Sequence, residues 1–345
     1  MAYTTIDDPT QYFNTVIWTG TSDATTSVTG VGHQPDFVWV KNRAVADDHT
    51  LHDPVRGGTK TLFSNSTGTE GTNAESIKSF DADGFTTGNH RGTGGNDGNT
   101  MVAWCWKANG TGSSNTAGSI NTTATSANTT AGISIVTYTG DEGSSATLGH
   151  GLGAVPKMII TKGRTYASSW ATYHASLGAT KVMYLSETDA EGDVNTIWND
   201  TEPTSTLFTV GSSNQVNDDY TYVAYVFAEK QGFSKFGSYS SNGSTDGVFC
   251  FCGFRPAWVM FKKTSSTANW SIRDNKRDPF NAGDTNLFAN LTDAESSSND
   301  IDFLSNGFKL RTAGSNWNAS SQTYIYMAFA EAPFVNSNGV PCNAR

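Results

Sequence analysis

Charge is scarce in this chain. Asp, Glu, Lys and Arg make up 16% of its 345 residues, against about a quarter in ordinary globular proteins. The formal net charge is −10 and no basic run occurs. Duplex nucleic acid carries a dense negative charge, so no nucleic-acid partner is expected, and the same repulsion disfavours anionic membrane surfaces. No apolar run approaches the roughly 18 residues of a spanning helix, so no membrane insertion is expected. The opening MAYTTIDDP has neither the basic nor the apolar segment of a secretory signal. Helical periodicity over ten or more residues is missing too. Cysteines are few: Cys105, Cys250, Cys252 and Cys342. They fall at no matching positions of the repeat described below, which argues against a disulfide framework and suits synthesis in a reducing cytoplasm.

What fills the space is glycine (35 residues), hydroxyl residues, Asn and a high aromatic share of 12%. That bias suits short strands joined by many turns. Three stretches read almost alike: GVGHQPDFVWVKNR at 30–43, GLGAVPKMIITKGR at 151–164 and CGFRPAWVMFKKT at 252–264. In each, a lysine follows a proline by six residues: Pro35 and Lys41, Pro156 and Lys162, Pro256 and Lys262. Fourteen residues after the prolines stand His49, Trp170 and Trp270. A second block ends on Glu70, Glu191 and Glu295, and a third aligns on Ala103, Ala224 and Ala328. A repeat of about 100 residues is long enough to hold a core, unlike the 20–50-residue unit of a solenoid.

The boundaries follow. Residues 1–13 form an N-terminal arm, 14–109, 132–232 and 233–334 three β domains, and 335–345 a tail. Residues 110–131, rich in Ser, Thr, Asn and Gly, read as a linker or surface strap, leaving the first domain free to sit differently. The runs DFVWVK, KMIITK and AWVMFK are near-continuously apolar, as strands buried on both faces are. The expected fold is all-β: three tandem, homologous domains of sandwich or jelly-roll type, with short strands and Gly-rich turns. Thr188 and Thr292 stand at capping-box spacing from Glu191 and Glu295, which makes a single helical turn a candidate at each.

No catalytic constellation emerges, and no cofactor or metal site is expected. DDHTLHDP at 47–54 is dense in ligand-type residues, but His49 occupies the place of Trp170 and Trp270, which marks a packing ring. DADG at 81–84 lacks the bidentate glutamate of a calcium loop and reads as a tight turn. Residues repeated three times are seldom one active site, so Glu70, Glu191 and Glu295 read as scaffold, with Lys41, Lys162 and Lys262 as natural partners inside each unit. Trp198 in TIWNDTEP and Trp317 in GSNWNASS lie in polar surroundings and are candidates for stacking on a glycan, or else plugs at domain edges.

The segments MAYTTIDDPTQYFNTVIWTG, QPDFVWVKNR, DPVRGGTKTLFSN, SFDADGFTTG and TMVAWCWKA resemble a family of tail-fibre-like or structural virion proteins of marine bacteriophages, those of cyanobacteria included. The likeness is strong over residues 1–107 and reaches the rest mainly through the repeat. It implies a virion protein, made in the host cytoplasm, that is not an enzyme. Its expected partners are other virion proteins and a bacterial surface glycan, and its expected state a homo-oligomer, with a trimer favoured. A tail or tail-fibre part in host attachment is the first expectation, a capsid-surface decoration protein the second, and a carbohydrate-active enzyme a distant third.

Overall fold

The computed structural model describes residues 2–95, 97–314 and 316–342. The chain is all-β. Among the described residues its only α-helix is the single turn Asn195–Trp198. No such turn forms at Thr188 or Thr292. Those two loops are held open by hydrogen bonds from neighbouring parts of the chain, described below.

Each of the three units builds one large antiparallel sheet. In the first, Thr100–Trp106 lies between Phe13–Thr19 and Phe37–Asn42. In the second, Thr221–Ala228 lies between Ile133–Thr139 and Pro156–Gly163, and in the third Thr323–Pro333 lies between Ser234–Ser240 and Phe254–Lys263. Pro156 opens its strand, whereas Pro256 sits at a register shift inside its own. Both are positions where a missing N–H is tolerated.

Strand periodicity then sorts side chains onto two faces. Phe37 and Trp39, Met158 and Ile160, and Trp258 and Met260 all enter one shared core. Val38 and Val40 join a core private to the first unit, Ile159 one in the second, and Val259 and Phe261 one in the third. A smaller layer covers each private core. It is made of Thr26–Thr29, Gly84–Thr87 and Ile77–Asp81 in the first unit, and of Ser145–Gly149 with Leu207–Gly211 in the second. In the third it is the continuation of the sheet through Ser296–Leu304, Gly307–Leu310 and Phe249–Phe251.

The units are therefore lobes around a common centre as well as sandwiches of their own. Aromatic rings from all three meet there. Phe37 stacks on Tyr225 at 4.2 Å, Trp106 meets Trp258 edge-on at 5.6 Å, and Phe227 meets Phe329 at 6.2 Å. Each large apolar side chain buried this way contributes roughly 1.5–3 kcal/mol. The first lobe is thus not free to move on a linker. The segment after it runs along the second lobe: Ala124–Asn128 adds an edge strand beside Ile133–Thr139, and Ile120 bridges to Leu148.

One alignment shifts. Val40 pairs with Ala103, Thr161 with Ala224 and Phe261 with Tyr326. Tyr326, not Ala328, is therefore the counterpart of Ala103 and Ala224. A slip of two residues keeps every side chain on its own face, so the apolar pattern alone does not detect it.

Candidate functional site: three junctions and one open edge

The repeated residues come together where lobes meet. Lys41, Lys162 and Lys262 lie at the ends of the strands that face the centre. Lys41 Nζ donates to the carbonyls of Asn42 and Asp47 (both 2.9 Å) and, across the lobe boundary, to that of Thr292 (3.0 Å). Lys162 Nζ donates to the Thr67 carbonyl (3.0 Å) in the first lobe. Lys262 Nζ donates to Thr188 (3.1 Å) and Asp189 (2.8 Å) in the second lobe and to its own Lys263 (2.8 Å). The first lobe thus grips the third, the second grips the first, and the third grips the second. This head-to-tail contact closes into a ring with pseudo-threefold symmetry. Burial lowers the lysine pKa values, to about 8 for Lys41 and Lys162 and about 7 for Lys262. The carbonyls stand in for the water each ammonium has lost.

The glutamates do not pair with these lysines inside their own units. The side chain two residues past the lysine takes that role, across the boundary. Arg164 grips Glu70 with Nε (2.9 Å) and Nη2 (2.8 Å), and Arg43 grips Glu295 in the same way at 2.9 and 2.7 Å. Burial alone would raise the pKa of Glu70, yet Arg164 and Arg56 hold it below the ordinary carboxylate value. At the third junction the residue two past the lysine is Thr264, and the Glu191 side chain is exposed. Only the main-chain bond from the Glu191 amide to the Thr264 carbonyl (2.9 Å) remains, matching those of Glu70 with Arg164 and Glu295 with Arg43.

A second layer of charge lies deeper. Arg56 and Asp53 pair at 2.6 Å with side chains fully buried, and Arg56 reaches Glu70 at 3.0 Å. Tyr225 of the second lobe donates its hydroxyl to Asp53 (2.8 Å). Arg277 and Asp274 repeat the arrangement at 2.6 Å, Arg277 reaches Glu295 at 2.9 Å, and Trp104 Nε1 of the first lobe donates to Asp274 (2.9 Å). In the second lobe the corresponding places hold His174 and Leu177. There His174 Nε2 meets the Tyr326 carbonyl at 3.2 Å, and burial lowers the His174 pKa to about 4.

His49 and His52 are both buried and point to separate partners. Trp39 Nε1 donates to His49 Nδ1 at 3.0 Å, while His52 Nδ1 lies 3.0 Å from the Gly58 carbonyl. Trp170 and Trp270, at the place of His49, each donate Nε1 to a carbonyl of the adjacent lobe, Phe63 and Tyr184. In the DADG turn, Asp83 accepts the amides of Gly30 (3.1 Å) and Gly32 (2.6 Å). Gly84 has φ 151°, and a Cβ there would lie 1.9 Å from the Val28 carbonyl oxygen, so only glycine fits.

Both tryptophans proposed for glycan stacking pack against side chains of their own lobes. Trp198 is 2% exposed: its helical turn tucks the ring into the second lobe's core, edge-on to Tyr173 at 6.1 Å. Trp317 is half-buried, with the Arg273 guanidinium over it at 5.2 Å and Phe288 parallel at 6.4 Å. Pro35, Pro156 and Pro256 are all buried, before, at the start of and inside their strands respectively. Cys250 and Cys252 are buried free thiols in the third lobe's core, and burial pushes the Cys250 thiol up to about 12.

What the sequence reading missed is a set of exposed phenylalanines. Phe249 (44%), Phe251 (57%), Phe280 (80%) and Phe334 (37%) are exposed, and all four phenylalanines belong to the third lobe. The alternation in VFCFCGF carries the signal, because burying both cysteines turns Phe249 and Phe251 to the other face. No curated protein matches the chain. A single family model runs through all three lobes, matching residues 8–333. The chain belongs to that family, described as a domain of unknown function, DUF7483.

Proposed function

We propose that this chain is a structural protein of a bacteriophage particle, a tail or tail-fibre component that contributes to host-surface attachment. The observation that carries the reading is where the repeated residues go. The recurring lysines and arginines, with Glu70 and Glu295, lock three lobes into a closed ring. A body whose repeated polar residues are used for rigidity suits a load-bearing part of an assembly. The likeness of residues 1–107 to phage virion proteins supports the same reading. With Trp198 and Trp317 packed against other side chains, contact with other virion proteins through the exposed phenylalanines becomes the better-supported mode of binding. That favours, as second reading, a decoration protein on the capsid surface.

The test is to locate the protein on purified phage by cryo-electron microscopy. Density at the tail or its fibres is the expected result. Density over the capsid lattice would select the decoration role, and absence from the particle would overturn both. A glycan array adds a second check: Trp198→Ala and Trp317→Ala, where they still fold, should leave any glycan signal unchanged.

A further inference from the structure

The three lobes treat one sheet edge in three different ways. Each smaller layer contains a strand in which a buried residue pairs with a phenylalanine: Val28 with Phe85, Leu148 with Phe208 and Cys250 with Phe308. In lobes one and three that strand is the last of its sheet. An edge strand offers a row of free main-chain groups to any other strand, and proteins blunt such edges with polar or charged residues or cover them.

In lobe one the edge residues flanking Val28 are Ser27 and Thr29, both exposed. In lobe two the chain covers the edge itself. The Ile120 amide donates to the Thr147 carbonyl (3.1 Å), and the Thr147 amide donates to Ser119 Oγ (2.8 Å). In lobe three the flanking residues are Phe249 and Phe251. Cys250 pairs with Phe308, and the Cys252 amide bonds to the Asn306 carbonyl. By antiparallel alternation the amides of Phe249 and Phe251 then turn to the outer edge. The Phe251 carbonyl keeps one long contact, 3.5 Å, with the Tyr326 hydroxyl. A groove of about 340 Å³, lined in part by Tyr3, Lys235, Phe251 and Cys252, runs beside the strand.

We propose that this edge is an interface with a second copy of the chain, in which Phe249–Phe251 of each copy pair antiparallel across a two-fold axis at Cys250. A two-fold axis at Cys250 sets residue 249 of one copy opposite residue 251 of the other, and with exposed phenylalanine at both places each ring is matched by a ring. Antiparallel pairing centred on Cys250 sets Phe249 opposite the second copy's Phe251, and Phe251 opposite its Phe249. Each Phe–Phe pair then exchanges main-chain hydrogen bonds while its rings meet on one continuous face. Neither phenylalanine carries charge, so no like charges oppose each other across the axis despite the net charge of −10. The inference does not depend on a role in a phage particle.

The test is the mass of the purified full chain by sedimentation equilibrium over a wide concentration range. A two-chain species is expected. Phe249→Lys combined with Phe251→Lys should weaken association at least tenfold, because lysines would then face lysines. Phe249→Lys combined with Phe251→Glu should restore it, since that register sets each lysine against a glutamate. Ser27→Lys, on the corresponding edge of lobe one, should change nothing. Melting curves check that each variant folds. In the wild type itself, amide exchange at Phe249 and Phe251 should slow as concentration rises, a readout that needs no variant. A single-chain mass at every concentration would overturn the proposal. So would a trimer, or a dimer indifferent to the two lysines.

Discussion

Two of the three junctions are ionic and the third is not. Where lobe two meets lobe one, and lobe one meets lobe three, a buried Asp–Arg pair sits beneath an exposed-side Arg–Glu pair. Where lobe three meets lobe two, Leu177, His174 and Thr264 occupy the same places, and the lysine, Trp270, His174 and main-chain bonds hold the contact without an ion pair among the described residues. The backbone arrangement is shared, so the charges do not create it. They distinguish the contacts. A lobe seated in the wrong place would deprive Glu70 or Glu295 of its cross-boundary arginine, and Asp53 or Asp274 of the Tyr225 hydroxyl or Trp104 indole N–H donated from the next lobe. The apolar junction joins the two lobes that follow each other without a linker, where a short connection already limits wrong arrangements.

The sharpest way to break this contrast is to remove one member of a buried pair. Arg56→Leu leaves Asp53 buried with only neutral donors, the main-chain amide of residue 56 and the Tyr225 hydroxyl, and the expected loss is about 3–5 kcal/mol. Arg277→Leu should cost a similar amount at the other ionic junction. Urea unfolding with an unchanged slope measures both. Transplanting the third junction's solution, Asp53→His together with Arg56→Leu, should recover at least half of that loss, because a matched apolar set avoids the unpaired charge. Losses below about 1 kcal/mol in both single variants would mean that the ionic and apolar junctions are energetically alike.

Acid should separate the lobes next. All six histidines have lowered pKa values, with burial the largest cause in each. His33, His49, His52 and His90 lie in lobe one, His150 and His174 in lobe two, and none in lobe three. A base with a depressed folded pKa contributes its full stability above the unfolded value of about 6.5 and loses it as pH falls towards the folded value. The folded values are about 4 for His33, about 3 for His52 and about 4 for His174. Between pH 6.5 and 5 each of these three should withdraw roughly 2 kcal/mol. Amide exchange at pH 5 should therefore rise first in lobe one and last in lobe three. Uniform loss of protection would show that the lobes unfold as one unit.

Much of this was legible beforehand, for reasons of periodicity. The threefold repeat and the double-faced burial of DFVWVK, KMIITK and AWVMFK follow from residue spacing, and the structure keeps them. The Lys–Glu pairing inside each unit failed because sequence adjacency does not say which lobe a side chain faces. The partners were nonetheless present in the repeats, as Lys-x-Arg in VKNR and TKGR and as Asp-x-x-Arg in DPVR and DNKR. Trp198 and Trp317 misled for a related reason: a polar neighbourhood in sequence is not exposure, and both rings fold back onto their own lobes. The two-residue slip at Ala328 was invisible, since it leaves the pattern of inward and outward residues intact.

The smallest effect tests the outer pairs. Arg164→Thr copies Thr264 into the second lobe's strand end. Arg164 is partly exposed, with 19% of its side-chain surface open, and Glu70 keeps Arg56 as a partner. The loss should therefore be about 1–2 kcal/mol, that of a charge-assisted bond without an abandoned buried charge. The reverse substitution asks whether the third junction could hold such a pair. Thr264 and Glu191 already share the main-chain bond that brings Arg164 to Glu70 and Arg43 to Glu295. Thr264→Arg should therefore reach the exposed Glu191 and stabilise the chain by a few tenths of a kcal/mol. Glu191→Gln, made in the same background, should erase the gain. A gain that survives Glu191→Gln would come from somewhere other than the pair, and the likeness of the three junctions would then end at the backbone.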